Sequence, residues 1–141
     1  MLDYLDDVRA NWKQNDASNI YDYLKTRAKT GYYKHLRSKR DIKELLRMLR
    51  QDLKKNICGI SSPELYKVAA SGTKDCIEAY HTEVIKCIQY IYYYRGNQLS
   101  SKQKLTFFEE TSHSYGRTAL FFSGGAGFGK FHYGMIKALV E

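Results

Sequence analysis

A cluster of glycines between an apolar run and a helix-like repeat constrains this 141-residue chain more than any other feature. The apolar run ends in Leu120, Phe121 and Phe122, and four glycines follow between Gly124 and Gly129. A short apolar run that ends at glycines is typical of a strand buried on both faces. Beyond the glycines, apolar residues recur at helical spacing, at Phe131, Met135, Ala138 and Leu139. The segment therefore predicts a strand, a glycine turn and a helix, in that order.

Such a turn would direct backbone N–H groups to one point, beside the positive end of a helix dipole. We therefore expect the loop to bind an anion, or an oxygen that becomes negative during a reaction. The dinucleotide motif Gly-x-Gly-x-x-Gly fails in both registers, because it needs a glycine at Ala126 or at Lys130. The phosphate-loop pattern Gly-x-x-x-x-Gly-Lys does match Gly124 to Lys130, so a P-loop nucleotide binder is a third interpretation of function, but Phe131 stands where a Ser or Thr should bind magnesium.

Two further interpretations of the glycine turn remain open. An oxyanion hole needs only backbone donors and close approach, so it tolerates Ala126. The structural alternative is a tight turn that packs a helix onto a sheet and binds nothing. The loop pattern alone does not separate these two.

The residues around the loop resemble the opening of patatin-like phospholipase domains. The resemblance lies in the stretch Gly116-Arg-Thr-Ala-Leu-Phe-Phe-Ser-Gly-Gly-Ala-Gly-Phe-Gly-Lys-Phe-His-Tyr-Gly-Met-Ile-Lys-Ala-Leu-Val-Glu141. The plain patatin loop reads Asp-Gly-Gly-Gly-x-x-Gly, and Ser123 and Ala126 replace its first and fourth residues. The branch found in lipid-droplet triacylglycerol lipases has the same Ser-Gly-Gly-Ala pattern, so the chain looks most like that branch.

Shorter stretches upstream resemble the helical domain that precedes the patatin domain in those lipases. They are Leu53-x-x-Asn56, Pro63-Glu-Leu-Tyr66, Gly72-Thr-Lys to Glu83-Val84, and Lys104-Leu-Thr-Phe-Phe-Glu-Glu110. The resemblance covers most of the chain from about Asp41 onward. It implies a mainly α N-terminal region, residues 1–110, followed by the first strand and helix of an α/β (patatin-like) domain. Residues 116–141 would be the incomplete start of that second domain.

The resemblance also implies a function, that of a triacylglycerol lipase, a serine ester hydrolase of neutral lipid. In that family a serine in Gly-x-Ser-x-Gly attacks the ester, an aspartate acts as its base, and the glycine loop stabilises the oxyanion. The matching loop residues here are Gly124, Gly125, Ala126 and Gly127, and Gly129 would permit close packing of the next helix. The sequence contains no Gly-x-Ser-x-Gly. We therefore expect the nucleophile and the base to lie outside this chain, which looks like the front part of a longer lipase and should be inactive alone.

The same resemblance implies a neutral lipid or phospholipid ester as substrate, no cofactor and no nucleic acid. It also implies peripheral attachment to a lipid droplet or membrane surface inside the cell. Cys58, Cys76 and Cys87 agree with an intracellular protein, because their number is odd and no Cys-x-x-Cys occurs. The sequence has no secretory signal and no apolar run near the ~18 residues that span a membrane. Its four histidines lack the spacing of metal ligands, so we expect no metal site.

A strong local excess of positive charge supports a rival function. The net charge is +8, and from Lys25 to Lys55 twelve Lys and Arg residues stand against three acids. A solvated helical face would explain this excess, and attraction to anionic lipid or nucleic acid is the alternative. The chain would then be a non-catalytic lipid-surface or protein-binding module that uses the basic Lys25–Lys55 region.

The clearest helical period predicts an amphipathic helix whose apolar face meets a core, at Ile42, Leu45, Leu46, Leu49 and Leu53. Ser18 is a candidate N-cap for a short helix that contains Ile20, Tyr21 and Leu24. The stretch from Gly31 to Ser38 has no clear period and predicts a linker.

Three further helix starts can be predicted from local signals. Ser62 followed by Pro63 is typical of a cap and first helical position. A long helix should follow Thr73, with Cys76 and Cys87 in the core. Ser100 and Gln103 have the spacing of a capping box.

Overall fold

The computed structural model describes residue 4, residues 11–67, residue 69, residues 72–115, residues 121–122 and residues 129–140. Within these residues every regular element is helical, and no strand occurs. The α-helices are α1 (Tyr23–Lys39), α2 (Ile42–Asp52), α3 (Pro63–Tyr66), α4 (Asp75–Tyr93), α5 (Ser101–Tyr115) and α6 (Gly129–Val140). A 3-10 turn, Ile57–Gly59, connects α2 to α3. The prediction of a mainly α N-terminal region is confirmed.

Helices α1 and α4 share the largest interface of the described fold. From α1, Tyr33 and Leu36 enter the core, and the Tyr33 ring lies 6.3 Å from that of Tyr80. Helix α4 contributes a continuous buried stripe of Ile77, Tyr80, Val84, Cys87 and Ile91. The predicted burial of Cys76 and Cys87 is also confirmed.

Helix α2 packs its apolar stripe against α1, α4 and α5. Ile42, Leu45 and Leu49 have no exposed surface, and Leu46 and Leu53 are nearly as buried. The stripe therefore faces the protein core, as the helical period predicts. Its basic residues lie on the outer surface.

The prediction for the start of α1 and for the residues after Gly31 is wrong. The helix begins at Tyr23, and its N-cap is Asp22, whose side chain accepts a hydrogen bond from the Lys25 N–H. The hydroxyl of Ser18 instead accepts from the Ile20 N–H in a local turn. The stretch expected to be a linker is the second half of α1, because α4 buries its inner face.

Two predicted helix starts are confirmed, although the Ser62 side chain makes no capping hydrogen bond. Pro63 opens α3 at its first position. Before α5, Ser100 and Gln103 form the reciprocal capping box: the Gln103 side chain accepts from the Ser100 N–H at 2.9 Å, and the Ser100 hydroxyl accepts from the Gln103 N–H at 3.2 Å. From α5, the ring of Phe107 is buried in the core. Helix α5 thereby packs over α2 and α4.

The predicted strand before the glycines falls mostly outside the described residues. Its last two residues, Phe121 and Phe122, lie in neither a helix nor a strand. Their side chains are 91% and 42% exposed, so the burial expected of them is absent here. A strand is buried only when neighbouring strands pair with it, and the described part of this chain supplies none. The helix predicted after the glycines is present as α6.

Candidate functional site

The glycine loop is the site that the sequence predicts, and four of its five residues lie outside the described residues. These are Gly124, Gly125, Ala126 and Gly127. The fifth, Gly129, is the first residue of α6. A side chain built at Gly129 would meet no atom within 4 Å. Among the described residues, nothing beyond its chain neighbours and the backbone of α6 therefore packs against this glycine, and its predicted role in close packing of the helix stays a prediction.

The residues that flank the loop are in contact. The ring of Phe122, just before the loop, lies 4.7 Å from the ring of His132, in the first turn of α6. Phe122 and the first turn of α6 are therefore close in space, as a strand–turn–helix unit requires. His132 acts as a packing residue in this contact.

Several apolar side chains of α6 are exposed. Phe131, Tyr133 and Met135 expose 70%, 77% and 53% of their surface. Lys130, the residue that the phosphate-loop pattern would place at an anion, is also exposed. Phe131, its neighbour, has no oxygen with which to bind magnesium.

The basic Lys25–Lys55 region is partly engaged in the fold. Five of its twelve basic side chains form ion pairs among the described residues: Arg27 with Asp16, Lys29 with Asp52, Arg37 with Glu83, Arg47 with Glu44, and Arg50 with Glu110. Two of these pairs are largely buried and join helices. These ion pairs therefore help to position α1 and α2. Their formation weakens the case that this region is a binding surface.

The first buried pair belongs to a network around Asp52, at the end of α2. The Tyr33 hydroxyl and the Lys29 ammonium each donate to one Asp52 carboxylate oxygen, both at 2.6 Å. Burial, and then the hydrogen bond to Asp52, raise the pKa of Tyr33 well above its ordinary value. Tyr33 therefore stays a neutral donor, and the network serves to join α1 to α2.

The second buried pair joins α1 to α4. The Arg37 guanidinium donates to both carboxylate oxygens of Glu83, at 2.7 and 3.3 Å. The hydrogen bond to Glu83 raises the pKa of Arg37. Beside this pair, burial raises the pKa of the Cys87 thiol to about 12. A protonated, buried thiol is a poor nucleophile, so Cys87 is a core residue.

A second exposed surface lies where α4 ends and α5 begins. We call it the aromatic edge; it consists of Tyr92, Tyr93, Arg95, Lys104, Leu105 and Phe108. Tyr92, Tyr93 and Leu105 are 62%, 68% and 60% exposed. A hollow of about 310 Å³ is lined by Tyr92, Arg95, Ser101, Lys104, Leu105 and Phe108. Sequence reasoning did not identify this surface, although one signal was available: residues 84–108 contain four Lys and Arg residues and no acid.

Metal ligation and membrane spanning are not found in the described part of the chain. Its His, Cys, Asp and Glu side chains form no group of three or more that would hold a metal ion. None of its helices combines the length and the hydropathy of a membrane span.

Comparison with protein families gives a match over residues 1–113 to the family described as "Domain of unknown function (DUF3336)". Among curated proteins, the chain is 37% identical over 131 residues to triacylglycerol lipase ptl1 of Schizosaccharomyces pombe, which covers 93% of this chain and 24% of that protein. It is 32% identical to a patatin-like phospholipase domain-containing protein of Neosartorya fischeri, over 92% of this chain and 20% of the relative. A protein of the same description from Meyerozyma guilliermondii is 35% identical, over 92% and 18%. No solved structure matches.

The extent of these matches bears on the glycine loop. This chain spans about a quarter or less of the length of the three relatives. A match that covers 93% of the chain cannot fit within residues 1–113, so it continues across the loop into α6. The similarity therefore also begins earlier than Asp41, where the recognised motifs start. The resemblance of both segments to patatin-like lipases is confirmed.

Proposed function

Since this chain belongs to the family of the domain of unknown function DUF3336, we propose that it is the N-terminal part of a patatin-like triacylglycerol lipase. Residues 1–110 would form its helical domain, and residues 116–141 would begin its catalytic domain. The observation that carries this proposal is the continuous similarity to a named triacylglycerol lipase across the helical region and the glycine loop. A protein that was only a helical binding module would not need the glycine loop.

The glycine loop would act as the oxyanion hole of ester hydrolysis. Attack on an ester carbonyl produces a tetrahedral intermediate whose oxygen is negative, and backbone N–H groups can stabilise it. Gly124, Gly125, Ala126 and Gly127 would supply these donors. Each well-placed donor lowers the barrier by about 3–4 kcal/mol. The positive end of α6, which begins at Gly129, would add to the stabilisation.

The described geometry supports this role in one respect. The contact between Phe122 and His132 brings the two flanks of the loop together. Backbone donors stabilise an oxyanion most when they are held in place before the reaction. This contact would therefore help to preorganise the loop.

The substrate would be a neutral lipid or phospholipid ester, met at a lipid droplet or membrane surface inside the cell. Helices α1 to α5 would form the platform beside the catalytic domain. The nucleophilic serine and the aspartate base would be supplied by residues outside these 141, because the sequence contains no Gly-x-Ser-x-Gly. No cofactor takes part in this chemistry.

Hydrolysis assays test the proposal directly. A longer polypeptide that contains both this chain and a Gly-x-Ser-x-Gly motif should release fatty acid from emulsified triacylglycerol. It should lose that activity when the motif serine is replaced by alanine, and the 141-residue chain should have none. Hydrolysis by the 141-residue chain, or magnesium-dependent nucleotide binding that is lost in Lys130→Ala, would contradict the proposal.

A further inference from the structure

The aromatic edge has the composition of a surface that meets a lipid–water interface, and we propose that it docks this chain onto a phospholipid surface. The proposal rests on the proposed function only in the choice of lipid as the partner. It assigns the contact to the junction of α4 and α5 rather than to the basic Lys25–Lys55 region. Three independent properties of the edge support it: its exposure, its charge and its rigidity.

The exposed side chains are amphipathic or apolar and lie close together. Tyr92 and Tyr93 end α4, and their rings lie 4.9 Å apart. Leu105 and Phe108 of α5 line the same hollow as Tyr92. Tyrosine is enriched at membrane interfaces, because its ring enters the apolar layer while its hydroxyl stays hydrated. Leu105 would enter the acyl region beside the two rings.

The charge of the edge is complementary to phospholipid headgroups. Residues 84–108 carry Lys86, Arg95, Lys102 and Lys104 and no carboxylate. The nearest acid before this segment, Glu83, is buried in its pair with Arg37. The exposed acids that follow this segment directly are Glu109 and Glu110, and Glu110 pairs with Arg50. A predominantly basic rim around exposed aromatics favours the phosphate groups and anionic headgroups of phospholipids.

The edge is held rigid by contacts within the chain. The Tyr92 ring packs edge-on against Phe108 at 6.2 Å, and Phe108 packs against the buried Phe107 at 5.3 Å. The Lys104 ammonium donates to the backbone carbonyl oxygens of Tyr92 and Tyr94, which fixes α5 to the end of α4. Side chains that are already ordered lose little entropy when they bind, so the edge is prepared for docking.

Vesicle flotation of the 141-residue chain tests the proposal without any hydrolysis. The wild-type chain should bind phosphatidylcholine vesicles, and should bind more strongly when phosphatidylserine is added at low salt. Combined Tyr92→Ser, Tyr93→Ser and Leu105→Ser substitutions should weaken binding to both vesicles, by about tenfold for each side chain. Arg95→Gln should weaken only the phosphatidylserine-dependent part, by about fivefold.

A matched control removes exposed apolar surface elsewhere. Leu24 and Tyr32 of α1 are 64% and 41% exposed, and the variant Leu24→Ser with Tyr32→Ser should bind vesicles as the wild type does. Circular dichroism should show the same helical signal in all variants, because every changed side chain is exposed. The proposal is overturned if the wild type binds neither vesicle, or if the control loses as much binding as the edge variant. Either result leaves the hydrolysis assays, and hence the proposed function, unaffected.

Discussion

Replacing Arg37 by Met tests what holds α1 on α4. In the folded chain, the Arg37 guanidinium makes two hydrogen bonds to Glu83, whose side chain is only 8% exposed. The substitution keeps the apolar stem of the side chain and removes the charge. It therefore leaves the Glu83 carboxylate buried without its cationic partner.

The expected cost follows from that burial. Removing one partner of a fully buried ion pair destabilises a protein by about 3–5 kcal/mol. Here 30% of the Arg37 side chain is exposed, and solvent would hydrate part of the freed carboxylate. We therefore expect a loss of about 2–4 kcal/mol in the free energy of unfolding. For a helical region of this size, such a loss lowers the Tm by roughly 10–20 °C.

Urea unfolding followed by the helical circular dichroism signal would measure this effect. The matched control is Arg47→Met, which breaks the pair with Glu44 on the outer face of α2. The Arg47 side chain is 56% exposed, so its removal should change stability little. A second variant, Arg37→Met with Glu83→Met, should recover much of the loss because no charge is left buried. The reasoning is refuted if Arg37→Met destabilises the chain no more than Arg47→Met does.

Three further predictions concern the described core and its caps. Phe107→Ala should cost about 3–5 kcal/mol of unfolding free energy in urea titrations, because the ring has no exposed surface; a loss below about 1 kcal/mol would contradict its core position. Ser100→Ala should lower the Tm by about 4–8 °C through loss of the cap, whereas Ser101→Ala, at an exposed site, should not. Iodoacetamide at neutral pH should modify the half-buried Cys58 before Cys87, since burial raises the pKa of Cys87 to about 12 and keeps the thiol protonated; faster modification of Cys87 in mass spectra would refute this.

Local signals were sufficient to predict α2 and the start of α5. In α2 the leucine stripe is continuous and its outer face is charged, so one sequence window contains the whole pattern. The capping box of Ser100 and Gln103 likewise lies within four residues. Such features can be read from the sequence because no distant partner is needed to form them.

The start and length of α1 were wrongly predicted because distant residues determine which of its faces is buried. Its outer face carries Leu24 and Tyr32, both exposed, so the contrast between its two faces is weak. Its inner face is defined by Tyr80 and Glu83 of α4, which lie more than forty residues away. No window around Gly31 contains that information.

The glycine loop and the aromatic edge also differ in how far they can be predicted from the sequence. The glycine loop could be identified from a contiguous motif and its resemblance to a lipase family, and its assignment as an oxyanion hole stays a prediction. The basic stretch of the aromatic edge is visible in the sequence, but the exposure of its rings could not be predicted, because consecutive tyrosines have no helical period. Their exposure depends on where α5 packs, and Lys104 fixes that position through the end of α4.

The assignment of the glycine loop is tested most directly by comparing two substitutions in the longer polypeptide that contains the serine. Gly125→Val should lower the rate of ester hydrolysis by about a hundredfold or more, because a β-branched side chain strains a glycine turn and crowds the oxyanion donors. Lys130→Ala should change the rate little, since an oxyanion hole built from backbone donors does not use that ammonium. Loss of hydrolysis in Lys130→Ala with full activity in Gly125→Val would contradict the oxyanion-hole assignment and favour a phosphate loop.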